Sequence, residues 1–203
     1  MITAVIPAYN EGSRIARVLE ETQLYTDEMI VIDDNSDDDT AKIASRWAKV
    51  LTNDKNLGYI GSIKRGFKEA SGDIIVTLDA DGEHDPKYIP ELVRPILDGE
   101  ADLVFGKRDH VPRPSERLLS RIAEFKVKTR DTGTGYRALR KDLADKLQLH
   151  GKCTCGIFAL EAHSKGAEIK EIRAPTREID KPRSISWDHI PQFFIVLYWF
   201  LKA

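Results

Sequence analysis

Residues 74–86 have the sequence IIVTLDADGEHDP, in which an apolar run ends in a group of carboxylates. The run from Ile74 to Leu78 is typical of a strand buried on both faces, and Gly82 favours a turn soon after it. Asp79 and Asp81 lie two positions apart at the strand end, so both carboxylates can reach one divalent cation. A D-x-D triplet alone also fits a surface loop, but the strand before it favours a metal site at a sheet edge.

Short β-branched runs of the same kind alternate with segments of helical period along the first half of the chain. Besides residues 74–78, strands are predicted at Ile2 to Ile6, Met29 to Ile32 and Leu103 to Phe105. Two intervening helices carry apolar faces at the i, i+3, i+4, i+7 spacing: Ile15, Val18, Leu19 and Thr22, then Thr40, Ile43, Ala44 and Trp47. This alternation predicts an α/β fold with a mainly parallel sheet covered by helices.

Polar clusters follow three of the predicted strands at the point where each one ends. They are Tyr9 to Glu11, Asp33 to Ser36 and Asp79 to Asp85. In parallel sheets, ligands bind beyond the carboxyl ends of the strands, where the strand order reverses. The three clusters are therefore expected to meet at one site.

The composition predicts a single compact domain, because 203 residues with 41% apolar and 32% charged side chains can form an ordinary core. A formal charge of −2 gives no global field for nucleic acid, and no nucleic-acid partner is expected. Cys153 and Cys155 form an incomplete zinc motif, so two reduced thiols in a cytosolic protein are expected. The N-terminal sequence MITAVIPAYN lacks the features of a signal peptide and predicts the first strand.

Two later segments leave alternatives open. The basic stretch from Arg113 to Arg130 fits either a solvated helix or a channel for a substrate anion. The apolar run FFIVLYWFL at residues 193–201 is far shorter than the roughly 20 residues that span a membrane. It fits a last core helix, an interfacial anchor, or the beginning of a longer membrane helix.

Five segments, in chain order, resemble the inverting family 2 glycosyltransferases. They are PAYNE (7–11), DDNSDDDT (33–40), NLGYIGSIKRGF (56–67), SGDIIVTLDADGEHDP (71–86) and DTGTGYRALR (131–140). Within that family the chain looks most similar to polyprenyl-phosphate (dolichyl-phosphate) mannose or glucose synthases. The segment KPRSISW (181–187) is similar to a segment that those enzymes carry near their last helix. The resemblance implies a GT-A, Rossmann-like three-layer sandwich with a mainly parallel mixed sheet over residues 1–186. It also implies an amphipathic or membrane-associating helix over residues 187–203.

The resemblance assigns the donor side of the site to the strand ends. The residues it places around the donor nucleotide and diphosphate are Pro7, Tyr9, Glu11, Asp34, Asp79, Ala80 and Asp81. It implies a Mg²⁺ or Mn²⁺ ion held by Asp79, Asp81 and Glu83, with Asp81 the principal ligand. Glu83 stands where relatives usually have Gln, and Gly58-Tyr59-Ile60 replaces their Gly-Lys-Gly, so a customary cation near the donor is missing.

The later motifs are assigned to phosphate groups and to closure of the site. Arg108 and Arg121 are expected to balance phosphate charge, with Arg121 and its neighbours holding the acceptor. Arg137, Arg183 and Ser184 are expected to close over the substrates. If the acceptor were a hydroxyl, Asp131 would be the first candidate for the base, whereas Glu161 is out of register for that role.

The function expected from these residues is metal-dependent, inverting transfer of mannose or glucose from a GDP- or UDP-hexose to polyprenyl phosphate. A phosphate monoester has its second pKa near about 6, so this acceptor needs no base at neutral pH. The basic stretch and the apolar tail favour this lipid acceptor and a peripheral location at the cytosolic membrane face. The alternatives are a soluble or glycan acceptor, a sugar nucleotidyltransferase and a non-catalytic nucleotide-sugar sensor.

Overall fold

The computed structural model of the protein describes residues 1–111, 113–151, 153–179 and 189–202. In these residues the strands are β1 (Ile2–Ala8), β2 (Glu28–Asp33), β3 (Lys49–Thr52), β4 (Ile74–Thr77), β5 (Leu103–Lys107), β6 (Arg137–Arg140) and β7 (Ile169–Arg173). The helices are α1 (Ile15–Thr22), α2 (Thr40–Ala44), α3 (Gly58–Glu69), α4 (Ile89–Leu97), α5 (Pro114–Val127), α6 (Lys141–Ala144), α7 (Ile157–Ser164) and α8 (His189–Lys202).

All seven strands of the described chain form one sheet in the order β3-β2-β1-β4-β6-β5-β7. Only β6 runs antiparallel to its neighbours, β4 and β5, while the other described pairs are parallel. The prediction of a mainly parallel mixed sheet is therefore confirmed. Because the chain passes from β1 to β2 on one side and later to β4 on the other, the strand order reverses at β1.

Two hydrophobic clusters cover the two faces of the sheet and complete the three-layer sandwich. Alternate residues of one strand enter different clusters, since Val5 packs with α3, α5 and α7 whereas Ile6 packs with α1 and α4. This alternation confirms that the central strands are buried on both faces. The apolar residues of the predicted faces of α1 and α2 join the second cluster, where Ile43 is only partly buried. Trp47 was predicted on the second helix, but α2 ends at Ala44, and Trp47 packs on the same cluster from the turn that follows.

The last helix has one face in the core and another exposed. Val196 and Trp199 of α8 are buried in the cluster that contains α5 and α7. The exposed face carries Phe194, Leu197, Tyr198 and Leu201. None of the described helices has the length and apolarity needed to cross a membrane. The expected boundary between residues 186 and 187 lies outside the described residues.

Candidate functional site

A cleft of about 600 Å³ opens at the carboxyl ends of β1, β2 and β4, at the predicted reversal of strand order. Its lining residues are Pro7, Ala8, Tyr9, Asn10, Glu11, Arg14, Asp34, Tyr59, Ser62, Asp79, Ala80 and Asp81. The structure thus brings together all seven residues that the resemblance assigned to the donor nucleotide and diphosphate. Five further residues also line it, namely Ala8, Asn10, Arg14, Tyr59 and Ser62, which the resemblance did not assign to the donor.

At the end of β1, the cleft wall carries the exposed ring of Tyr9 and the ion-paired carboxylate of Glu11. Tyr9 is 47% exposed, so its ring is accessible to a flat ligand. Glu11 is buried, pairs with Arg14 at 3.1 Å, and has a backbone N–H that donates to the Thr40 hydroxyl. These contacts fix the chain direction immediately after the strand.

Asp34 follows β2 and fixes the start of α3. Its Oδ1 accepts hydrogen bonds from the Asn53 side chain at 2.7 Å and the Leu57 N–H at 2.8 Å, and Oδ2 accepts from the Gly58 N–H at 2.8 Å. Gly58 has φ of +73°, a conformation that favours glycine. The buried carboxylate therefore connects the cleft wall to the helix that carries Tyr59.

The D-x-D segment turns sharply after β4, with Gly82 at φ +82°. Asp81 accepts the Glu83 N–H at 3.0 Å, and the Asp79 N–H donates to Nδ1 of buried His84 at 3.1 Å. His84 in turn stacks on Tyr136 with ring centroids 5.0 Å apart. Burial, assisted by the neighbouring charges of Asp81 and Glu83, raises the pKa of Asp79 above its ordinary value.

The residues present fit a hard divalent cation that shares its coordination with a ligand. Asp79 and Asp81 both line the cleft, and Mg²⁺ is usually bound by one or two carboxylates together with substrate phosphates. Across the described chain, no group of three His, Cys, Asp or Glu side chains is already arranged around a metal position. The expected set of Asp79, Asp81 and Glu83 is therefore not preassembled, and Glu83 is not among the residues described as lining the cleft.

Arg108 and Asp131 form a buried ion pair with each other. Arg108 donates to Asp131 through Nε and Nη2, both at 2.8 Å, and through its backbone N–H at 3.1 Å. Nη2 also contacts Glu116 at 3.1 Å, and these partners raise the pKa of Arg108 despite its burial. The expectation that Arg108 balances phosphate charge stays a prediction; in this structure its charge is met by Asp131 and Glu116.

A second arginine with a predicted role in the site is Arg137. The resemblance implies that it closes over the substrates, but it lies on β6 and is fully buried. Its Nη2 donates to the Thr154 hydroxyl at 2.7 Å, and its guanidinium lies 4.5 Å from the centroid of the Phe158 ring. Arg137 is therefore fixed inside the protein.

The remaining predicted residues occupy three different settings. Arg121 is exposed on α5, next to Ser120, whose hydroxyl bonds to Thr132. Glu161 is fully buried and accepts the backbone N–H groups of Gln148 and Leu149 at 2.6 and 2.9 Å, so it caps a turn. Arg183 and Ser184 lie outside the described residues.

Sequence analysis also missed Arg177, which ties the segment after β7 to the D-x-D turn. Its backbone N–H donates to the Glu83 carbonyl at 2.8 Å, and its side chain pairs with Glu21 at 2.6 Å and Asp85 at 2.8 Å. Arg177 and Asp81 together line a second, smaller cleft of about 330 Å³. No local pattern marks Arg177, since its partners are distant in sequence.

Comparisons with known proteins agree with this geometry. The sequence profile of glycosyl transferase family 2 matches residues 3–163. The chain is 31% identical to a dolichol-phosphate mannosyltransferase of Pyrococcus furiosus, over 73% of this chain and 49% of that protein. It is also 31% identical to a UDP-N-acetylglucosamine–dolichyl-phosphate N-acetylglucosaminyltransferase of Methanococcus voltae, over 87% of this chain and 85% of that protein.

A solved structure with a similar fold is that of glucosyl-3-phosphoglycerate synthase from Mycobacterium tuberculosis, in complex with Mn²⁺ and UDP-glucose. The TM-score is 0.79 at 22% identity, and the match covers 98% of this chain and 78% of that chain. The GT-A fold expected from the sequence is thereby confirmed. The chain spans about half the length of the Pyrococcus relative and most of the Methanococcus one.

Proposed function

The chain belongs to glycosyl transferase family 2, and from that premise we propose that it transfers a hexose from a nucleotide-diphosphate sugar to a polyprenyl phosphate at a membrane surface. Membership makes the protein a glycosyltransferase related to polyprenyl-phosphate sugar transferases. The donor, the metal dependence and the acceptor are the parts that this proposal adds.

The observation that carries the lipid acceptor is an exposed apolar face on α5 and α8. Leu118 and Phe125 of α5 are 53% and 85% exposed, and α8 adds Phe194, Leu197, Tyr198 and Leu201. Soluble proteins rarely leave so many large apolar side chains exposed on neighbouring helices without a partner for them. A lipid bilayer with an isoprenoid chain supplies such a partner.

Arg121 supplies a positive charge for the acceptor phosphate beside this apolar face. It lies three residues after Leu118 and four before Phe125, so the three side chains share one face of α5. A cation between two exposed apolar side chains suits a ligand with an anionic head and a hydrocarbon tail. Lys126 lies at the rim, 5.4 Å from the centroid of the Phe200 ring of α8.

The donor side supplies the other half of the reaction. Tyr9 and Asp34 line the part of the cleft where a nucleoside would lie, and Asp79 and Asp81 are the residues that would hold a divalent cation beside the diphosphate. A bound Mg²⁺ or Mn²⁺ neutralises charge on the departing nucleoside diphosphate. Arg121 holds the acceptor phosphate, already a dianion at neutral pH, in line with the anomeric carbon, and in-line attack inverts that centre.

The test combines transfer and membrane binding. UDP- and GDP-linked glucose and mannose are incubated with Mn²⁺ and either a short polyprenyl phosphate, 3-phosphoglycerate or a free sugar, and products are identified by mass. The proposal expects a glycosyl polyprenyl phosphate. Product only from 3-phosphoglycerate would favour a soluble phosphorylated acceptor, as the name of the structural neighbour indicates for that protein, and would overturn the lipid assignment.

Vesicle flotation tests the apolar face without disturbing the core. Removing α8 would expose the core, because Val196 and Trp199 are buried, so the variant is the double substitution Phe194→Ser and Leu201→Ser. The matched control is Leu24→Ser with Leu97→Ser, two leucines that are 72% and 69% exposed elsewhere. Loss of flotation is expected for the α8 variant alone. Equal flotation of both variants would contradict the proposal.

A further inference from the structure

Four buried polar atoms below the donor cleft have no hydrogen-bond partner in the described part of the chain. They are Oη of Tyr59, Oδ1 of Asp79, and Nε and Nη1 of Arg137. Buried donors and acceptors are nearly always paired in native proteins. These three side chains come from α3, from the end of β4 and from β6. Their unpaired atoms therefore indicate hydrogen bonds that form only when the site binds its ligand.

The three side chains lie close enough to act on one another. The positive charge of Arg137 acts on both Asp79 and Tyr59. Gly135 leaves room for Asp79, because a Cβ at that position would lie 2.6 Å from Oδ1. Burial raises the pKa of Tyr59, so its hydroxyl keeps its proton and can donate.

Arg137 is held from its far side. Nη2 is bonded to Thr154, and the guanidinium lies over Phe158 at 4.5 Å and Phe105 at 5.7 Å from the ring centroids. These contacts leave Nε and Nη1 as the donors that are still available. The two carboxylate oxygens of Asp79 differ in exposure, because Oδ1 is buried while the side chain as a whole is 33% exposed.

We propose that Arg137, held by Thr154, is a positioning residue that donates to the buried oxygen of Asp79 once the donor cleft is occupied, and so directs the other oxygen towards the ligand. Tyr59 lies beside this pair, where the charges of Asp79 and Arg137 both act on its hydroxyl. Arg137 does not touch the donor in this scheme. The inference rests on the proposed function, in which Asp79 takes part in metal-dependent donor binding.

Thr154 allows a test away from the cleft. Thr154→Val keeps the shape but removes the acceptor for Nη2, whereas Thr154→Ser keeps the hydroxyl. Binding of UDP and of GDP is measured by calorimetry with Mn²⁺ and with EDTA. Thr154→Val is expected to weaken Mn²⁺-dependent binding about tenfold, the factor for one hydrogen bond to a charged group, and to leave binding in EDTA unchanged. Thr154→Ser should restore the wild-type affinity.

A second measurement uses the wild-type protein, so it does not depend on how the variants fold. The Nε–H resonance of Arg137 is expected to shift when Mg²⁺ and the nucleotide bind, while that of Arg108, already paired with Asp131, stays in place. Unchanged affinity in Thr154→Val, or an unmoved Arg137 resonance in a nucleotide-bound protein, would overturn the inference. If the wild-type protein binds neither nucleotide in a metal-dependent way, the proposed function itself fails.

Discussion

The two sides of the sheet's carboxyl edge treat their charged side chains in opposite ways. Around β1, β2 and β4, Asp79 and Asp81 line an open cleft. Beyond β5, Arg108 and Arg137 are buried against internal partners, and of the two arginines assigned to phosphate, Arg108 and Arg121, only Arg121 is exposed. The cleft side therefore leaves carboxylates open to a ligand, whereas the side beyond β5 uses Arg108 and Arg137 for internal contacts.

The largest effect is expected from breaking the internal pair. Asp131→Asn removes the charge that Arg108 contacts through three hydrogen bonds. Arg108 keeps its contact with Glu116, so loss of its main carboxylate partner is expected to cost up to about 3–5 kcal/mol in the free energy of unfolding, measured by urea denaturation. The matched control is Asp109→Asn, because Asp109 pairs with Arg173 at 2.8 and 2.9 Å on the surface, and exposed pairs contribute about 1 kcal/mol or less. Equal losses would remove the contrast between the two sides.

The second prediction concerns the open side. Asp81→Ala is expected to lower turnover by about 100–1000-fold, the range for losing one preorganised electrostatic group, with little change in stability. Donor binding should become insensitive to EDTA, which calorimetry can measure. Asp98→Ala, an exposed carboxylate at the end of α4, serves as the control. Metal-dependent donor binding that survives in Asp81→Ala would place the cation elsewhere.

The sequence predicted the centre of the fold better than its edges. Strands β1, β2, β4 and β5 were found because burial on both faces leaves a continuous apolar run. The bounds of β3 and β7 were not predicted, since both are edge strands with exposed or partly exposed, charged residues. The inner strand β6 was missed as well, because its sequence RALR begins and ends in arginine and shows no apolar run. Edge strands carry little of the apolar pattern on which such predictions depend.

The same limit applies to the site. The lining residues follow strand ends that parallel pairing brings together, so chain order alone predicted where Tyr9, Asp34 and Asp81 meet. The fate of Arg108 depends on Asp131, 23 residues later, and that of Arg137 on Thr154 and Phe158. Because a basic side chain looks alike in sequence whether it faces a phosphate or a buried carboxylate, only the packed structure separates the two cases.

Arg121 gives the third prediction, since it is the predicted phosphate-binding arginine that remains exposed. Arg121→Ala should raise the KM for polyprenyl phosphate about tenfold through loss of a charge-assisted hydrogen bond, while the Kd of the donor stays unchanged. Arg117→Ala is the control on the same helix, because the Arg117 side chain is bonded to the Val111 carbonyl. A defect in donor binding instead would move Arg121 to the donor side of the comparison.

The smallest effect is expected at the amino ends of the strands, opposite the cleft, where the hydrogen bonds of the Glu28 carboxylate are structural. Burial tends to raise the pKa of Glu28, but hydrogen bonds from Thr3 and Ser71 outweigh it and lower the pKa below 4.5. A lowered folded-state pKa stabilises the protein above the unfolded value, and this contribution is lost as the pH falls through the folded value. Glu28→Gln should therefore lower the free energy of unfolding by about 1 kcal/mol or less at pH 7, and the difference from wild type should shrink below pH 4.5.

Donor affinity should not change in Glu28→Gln, because Glu28 begins β2 at the end remote from the cleft. A change in donor affinity would mean that the amino ends of the strands are coupled to the cleft at their carboxyl ends.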